Sequence, residues 1–173
     1  ERYNGSGATV RGFNVEGRAA FTRWFELQAG VTLQQSRYKE PEYWSEDAEV
    51  PPVRRMFRTP DAYGYFTASF KPVRNFTADL SGTCTGSMLV QHMAGSGVGQ
   101  DVAVSTPSFF DMNIRLSYDV RIYKEITMQL YGGVQNLFNA YQKDFDKGVD
   151  RDSGYIYGPS LPRSWFVGAK FSF

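Results

Sequence analysis

Apolar and polar residues alternate along seven stretches of this chain, and each stretch is long enough to form a β-strand. Side chains of a strand point to opposite sides at successive residues, so a period of two places the apolar residues on one face. The alternation stops where Gly, Pro, Asn or acidic residues gather. The predicted strands are Val10–Phe21, Phe25–Tyr38, Tyr63–Lys71, Phe76–Gln91, Phe109–Val120, Ile126–Val134 and Arg163–Phe173.

The connections between these strands alternate between short and long. The short turns are Thr22–Trp24, Pro72–Asn75 and Arg121–Glu125, and the long connections are Lys39–Ala62, Met93–Ser108 and Gln135–Pro162. Tight turns on one side and extended loops on the other are typical of outer-membrane β-barrels. The pattern therefore predicts an all-β fold, a transmembrane antiparallel up-and-down β-barrel.

The distribution of charge favours the membrane. The apolar register of the seven strands covers 37 positions without a charged residue, although 21% of the chain is charged. An Arg or Lys that faced lipid at the middle of the bilayer would cost about 2–4 kcal/mol. The opposite faces carry mostly Ser, Thr, Asn and Gln, which suits a hydrated lumen better than the charged solvent face of a soluble sheet. A soluble β-barrel or sandwich that binds a ligand remains an alternative.

Composition excludes several other classes of protein. The chain has 173 residues, a net charge of +1 and no basic patch, so we expect no nucleic-acid partner. It has one cysteine, Cys84, and one histidine, His92, which do not make a zinc cluster. No apolar run approaches the roughly 18 residues of a membrane helix. No Gly-x-Ser-x-Gly elbow or triad pattern is present, so we expect no enzyme.

Seven is an odd number of strands, whereas bacterial single-chain barrels close with an even number of at least eight. Residues Glu1–Thr9 have the composition of a loop and are too short for another full strand. The chain also starts without Met. We therefore interpret residues 1–173 as the C-terminal part of the barrel domain of a larger outer-membrane protein. A small eight-stranded anchor barrel is the alternative, and it would be a closed monomer.

The C-terminal region resembles that of TonB-dependent outer-membrane receptors. Tyr131–Tyr141 has the sequence YGGVQNLFNAY, Tyr157–Arg163 has the sequence YGPSLPR, and the last strand ends at the aromatic Phe173. This match covers about 43 residues, and Arg58–Pro60 is a weaker match to a second family element. In the motif, Asn136 and Asn139 are expected to bond their own backbone and to accept left-handed geometry.

The resemblance implies a barrel of about 22 strands with an N-terminal plug, of which these would be the last seven. It implies a bacterial outer-membrane receptor for a scarce nutrient, either a ferric siderophore, haem, cobalamin or an oligosaccharide. Import would be driven by the TonB complex through the whole protein. Phe173 resembles the aromatic that the barrel-assembly machinery reads as an insertion signal.

Two loops carry candidate binding residues. Aromatics stack on sugars or macrocycles, and arginines pair with carboxylates or catecholates. The predicted ligand-binding residues are Tyr43, Trp44, Arg54, Arg55 and Arg58. A surface loop of ordinary composition explains them about as well.

The segment 144–152 places carboxylates at alternate positions around a glycine, which allows a turn to gather hard oxygen ligands for Ca²⁺. The predicted calcium ligands are Asp144, Asp146, Asp150 and Asp152. The spacing is not that of an EF-hand, and neighbouring Lys147 and Arg151 offer the alternative of a solvated, neutralised loop.

His92 and Met93 could suggest haem ligation, but a lone His at a strand end is more often incidental.

Overall fold

The computed structural model describes Gly5, residues 7–159 and residues 161–173. Most of the predicted N-terminal loop, Glu1–Asn4 and Ser6, lies outside the described residues. No helix with the length and apolarity of a membrane span occurs in the described part of the chain. The strands within it are β1 (Ala8–Thr22), β2 (Phe25–Glu42), β3 (Val53–Arg55), β4 (Ala62–Val73), β5 (Phe76–Thr85), β6 (Leu89–His92), β7 (Val102–Ser105), β8 (Phe109–Tyr123), β9 (Ile126–Gln135) and β10 (Ser164–Ser172).

Seven of these strands form one antiparallel sheet with the order β1-β2-β4-β5-β8-β9-β10. Short β3 pairs with the far end of β2, and β6 and β7 form a separate hairpin. Neighbours in the sheet are neighbours in sequence, as in an up-and-down barrel. Among the described strands, β1 and β10 pair on one side only, so the sheet is an open wall. The all-β, antiparallel up-and-down fold is confirmed.

All short turns lie at one end of the sheet, and all long connections lie at the other. Two residues separate β1 from β2, β4 from β5, and β8 from β9. The long connections, residues 43–61, 86–108 and 136–163, contain β3 and the β6–β7 hairpin. The predicted alternation of short and long connections is therefore confirmed.

The backbone register places the apolar residues on one face. Residues directly opposite each other on paired strands share a face. Phe13 lies opposite Leu33, and Trp165 lies opposite Val134. These side chains remain open: Phe13 is 66% exposed and Trp165 is 77% exposed. A continuous exposed apolar face is unfavourable in water and matches a surface that faces lipid.

The opposite, inner face is polar, and its side chains bond to one another across strands. The Gln28 amide donates to the Glu16 carboxylate at 2.9 Å and to the Tyr65 hydroxyl oxygen at 3.1 Å. The Ser69 hydroxyl donates to Asp79 at 2.6 Å. Because polar groups are costly in lipid, this face belongs toward a hydrated interior.

The predicted strand Phe76–Gln91 is wrong in its second half. The sheet strand ends at Thr85, and Gly86 to Met88 leave the sheet before β6 begins. Thr106 holds Met88 away from the sheet, because its backbone N–H donates to the Met88 carbonyl at 2.9 Å and its hydroxyl accepts from the Met88 N–H at 3.1 Å. Consequently Gly86, Met88 and Val90 do not continue the lipid-facing register.

Candidate functional site

The long connections fold together into one unit, which we call the loop cap and define as residues 43–61, 86–108 and 136–159. Its centre is an apolar cluster formed by Val90, Phe109, Tyr155 and Tyr157, all buried. These residues come from β6, the start of β8 and the last long connection. The loop cap therefore has a core of its own, separate from the lipid-facing surface.

Gln142 and Asp144 fix the two tyrosines of this core. The Gln142 amide donates to the Tyr155 carbonyl at 3.1 Å and accepts from the Tyr157 backbone N–H at 2.8 Å. The Asp144 carboxylate accepts from the hydroxyls of Tyr155 at 2.8 Å and Tyr157 at 2.6 Å. Burial raises the pKa of Asp144, but the hydrogen bonds from Tyr157 and Tyr155 outweigh it and leave that pKa below its usual value.

The same contacts act on the tyrosines in the opposite direction. Burial, together with the Asp144 carboxylate, raises the pKa of Tyr157 to about 12 and that of Tyr155 further. Both hydroxyls therefore stay protonated at physiological pH and act as hydrogen-bond donors. The neutral tyrosines and the charged carboxylate stabilise each other's protonation states.

His92 ties the β6–β7 hairpin to the last long connection. Its Nε2 lies 2.9 Å from Asp146 Oδ1, and its ring stacks on Tyr155 with the ring centres 3.7 Å apart. The side chains of His92 and Asp146 are only 8% and 4% exposed. The hydrogen bond with His92 holds the pKa of Asp146 below its usual value, and the Asp152 backbone N–H donates to the same carboxylate at 3.1 Å.

Two of the predicted ligand arginines already have partners in the loop cap. The Arg58 guanidinium donates to the carbonyls of Ile156, at 2.9 Å, and Gly154. Arg55 donates to the Ser87 carbonyl at 2.6 Å and pairs with Asp61 at 3.0 Å. These arginines thus hold the first long connection against the others.

The other predicted ligand residues are placed differently. Tyr43 is 68% exposed, and Arg54 is exposed without an ion pair to any described residue. Trp44 packs edge-on against Phe57 with ring centres 5.3 Å apart. Its indole nitrogen is buried and lacks a hydrogen-bond partner within the described segments. The five residues share one connection, in which Tyr43 and Arg54 are exposed while Trp44, Arg55 and Arg58 contact other residues of the loop cap.

Three of the four predicted calcium ligands, Asp144, Asp146 and Asp152, bond to different partners, and the Asp150 side chain bonds to none of the described residues. Asp144 meets the tyrosine hydroxyls, and Asp146 meets His92. The Asp152 side chain accepts from the backbone N–H groups of Met93 and Gly154, both at 2.8 Å. The structure places no group of three or more His, Cys, Asp or Glu side chains suited to a metal in the described ranges. Calcium binding stays a prediction.

The C-terminal motif organises the entry into the last strand. Asn136 and Asn139 both have positive φ angles, of 50° and 53°. The Asn136 amide donates to the carbonyls of Ala140 at 2.9 Å and Leu161 at 2.8 Å, and Asn139 accepts from the Arg163 backbone N–H at 2.9 Å. The expected left-handed geometry of both residues and the local bonding of Asn136 are therefore confirmed, whereas the Asn139 side chain bonds to a residue 24 positions away. Together these bonds hold the start of the last strand, and we call them the clasp.

A depression of about 590 Å³ lies on the inner face beneath Gly158 and Pro159. Asp111 lines it, and one of its carboxylate oxygens is buried without a hydrogen-bond partner among the described residues. Ser81 and Asn113 on neighbouring strands also line the depression. These groups can donate to and accept from a polar ligand. Sequence reasoning missed Asp111, because nothing local distinguishes it from other polar residues of the inner face.

Comparison with known proteins supports the barrel architecture. No family model and no curated protein sequence matches the chain. Its fold is similar to the closed form of the ferric-catecholate import receptor Fiu from E. coli K12, with a TM-score of 0.64 and 21% sequence identity. The likeness covers 94% of this chain and 20% of that receptor, so the chain spans about a fifth of the receptor's length. At this identity the likeness establishes the fold, a portion of a β-barrel wall.

Proposed function

We propose that this chain is the C-terminal barrel part of a TonB-dependent outer-membrane receptor, which imports a scarce nutrient by energy-coupled uptake. The observation that carries the proposal is the clasp of Asn136 and Asn139 before the last strand of a barrel wall. The residues of this clasp are those of the family motif. The apolar outer face and the bonded polar inner face support the same assignment.

The loop cap supports binding at the end of the barrel with long connections. Tyr43 and Arg54 are exposed there, whereas Arg55 and Arg58 hold the loops together. An exposed aromatic and an unpaired guanidinium suit a ligand with a flat ring system and acidic oxygens, as in a catecholate complex. We therefore propose Tyr43 and Arg54 as the ligand contacts and the two other arginines as residues that position them.

Uptake by cells tests the proposal. A strain without the intact protein is compared with a complemented strain for uptake of ferric siderophores, haemin, cobalamin and oligosaccharides. We expect one cargo class to require both the protein and the TonB complex. Uptake that is independent of either would contradict the proposal. Tyr43→Ala and Arg54→Ala should weaken binding of that cargo, whereas the control Lys143→Ala, also exposed, should not.

The domain assignment has its own test. We propose that residues 1–173 close a barrel only together with further strands, since unpaired edge groups in lipid cost several kcal/mol each. The chain refolded alone in detergent should not give a monomer with heat-modifiable migration. In the intact protein, Phe173→Ser should slow insertion by the barrel-assembly machinery, measured as heat-modifiable protein over time. Normal insertion of this variant would remove the proposed role of Phe173.

The proposed calcium site also has a direct test. Calcium would have to draw Asp146 away from His92, which lies 2.9 Å from it. Calorimetric titration of the intact protein with millimolar calcium should show binding that Asp146→Ala abolishes. No binding, or equal heats in both proteins, would remove the site.

A further inference from the structure

We infer that the short-turn end of the wall binds the head groups of anionic phospholipids. Each of its three hairpin turns presents one cation: Arg23 between β1 and β2, Arg74 between β4 and β5, and Lys124 between β8 and β9. Glu125 is the one acid among the six turn residues. All three cations are exposed, and none of them forms an ion pair with another described residue.

Every cation has an exposed apolar neighbour in sequence. Trp24 is 43% exposed, Val73 59% and Tyr123 60%. The Lys124 ammonium lies 5.2 Å from the centre of the Tyr123 ring. A free phosphate ion would need only the charges, whereas a phospholipid presents a phosphate beside apolar glycerol and acyl groups. The combination therefore fits a lipid better than a soluble anion.

The cations lie directly beyond the edge of the apolar face. Phe25 and Phe76 are the first residues of their strands and lie on the outer face, and Phe25 is paired with Phe70. The Trp24 ring packs edge-on against Phe70 with ring centres 5.2 Å apart. Arg23 and Arg74 are each two residues from a phenylalanine of this band, Phe25 and Phe76, or about 7 Å at 3.3 Å per residue. Lys124 lies beside the exposed ring of Tyr123. Aromatic side chains mark the level of the membrane interface, where phosphates lie.

The opposite end of the wall lacks this excess of positive charge. The three long connections, residues 43–61, 86–108 and 136–163, contain nine acidic and seven basic residues. Charge complementarity to an anionic lipid is therefore confined to the short turns. This inference concerns the membrane contact of the wall, and it holds whatever cargo the proposed receptor carries.

Fluorescence quenching by brominated lipids tests the inference in the intact protein. The emission of Trp24 is isolated as the difference between the protein and its Trp24→Phe variant. At equal mole fraction in phosphatidylcholine vesicles, brominated phosphatidylglycerol should quench Trp24 more strongly than brominated phosphatidylcholine. Arg23→Gln, next to Trp24, should lower this enrichment about fivefold, whereas Arg74→Gln and Lys124→Gln, on the other hairpins, should lower it less.

Trp165 is the matched control, because it faces outward near the long-connection end of β10. Its emission, isolated with Trp165→Phe, should show no preference for phosphatidylglycerol. Equal quenching of Trp24 by both lipids, the same preference at Trp165, or an enrichment unchanged by the substitutions would overturn the inference. If a variant fails to insert, the unmodified protein decides: the preference should vanish at about 1 M salt, where the Debye length is about 3 Å, and its persistence would overturn the inference.

Discussion

Replacing Gln142 by Met should open the loop cap while leaving the sheet intact. The Gln142 side chain is 1% exposed and satisfies two backbone groups, the carbonyl of Tyr155 and the N–H of Tyr157. Met has the same chain length as Gln and a slightly larger, flexible side chain, but it offers no strong donor or acceptor. The substitution therefore removes two hydrogen bonds with little change in packing.

The size of the effect follows from the two groups left unpaired. A buried donor or acceptor without a partner costs about 1–3 kcal/mol, so the loop cap should lose roughly 2–6 kcal/mol of its local stability. The lower bound corresponds to about a 30-fold increase in the equilibrium constant for local opening. The opening is local because the sheet strands are held by their own ladder of backbone hydrogen bonds.

Hydrogen exchange followed by mass spectrometry measures this opening in the intact protein. Peptides from residues 136–159 should exchange at least about 30-fold faster in the Gln142→Met variant, whereas peptides from β8 and β9 should not change. Lys143→Met, at the exposed neighbouring position, is the control. Unchanged exchange at Tyr157, or an equal acceleration in the sheet, would refute the reasoning.

Two further predictions concern the stability of the loop cap in acid and the packing around two glycines of the sheet. The hydrogen bond with His92 lowers the pKa of Asp146 in the folded state, so its stabilisation is present above about pH 4 and is lost as the pH falls through the lowered pKa. Proteolysis of the loop cap should therefore accelerate in acid, and an equal rate at pH 5 and pH 3 would contradict this. Gly133→Ala places a methyl group against the carbonyl of Ile114. It should lower the free energy of unfolding, measured with denaturant, by about 1–3 kcal/mol. Gly17→Ala, which meets nothing within 4 Å, should be nearly neutral.

The strands of the wall could be predicted from sequence because the environment on each side of the sheet sets the residue type at every position along a strand. Lipid on one side and water on the other impose a period of two, and β9 and β10 begin and end within two residues of their predicted bounds. The strand predicted to reach Gln91 ends at Thr85, although the alternation of apolar and polar residues continues, because a contact with a residue distant in sequence decides the path of the chain there. Thr106 forms two hydrogen bonds with the backbone of Met88, and the residues around Met88 carry no pattern that would predict them.

The same distinction separates the clasp from the loop cap. Asn136 bonds to Ala140 four residues away, so its role was readable from its type and place after a strand. His92 and Asp146 are 54 residues apart, and their contact depends on how two long connections meet. Such a contact could not be predicted from the sequence, because loop residues carry no periodic pattern that shows which residues of two loops will meet.

The unequal lengths of the strands make the upper edge of the wall uneven. β2 has 18 residues and β10 has nine, and both have one end at the level of the short turns. At about 3.3 Å per residue and a tilt of about 40°, β2 rises roughly 20 Å higher than β10. The wall thus forms a tall flank beside β1 and β2 and a low flank beside β10. The tip of β2, around Arg37–Glu42, therefore stands farther from the short turns than any residue of β10, so a large molecule that approaches the sheet from the side of the long connections meets the tall flank at a greater height than the low flank.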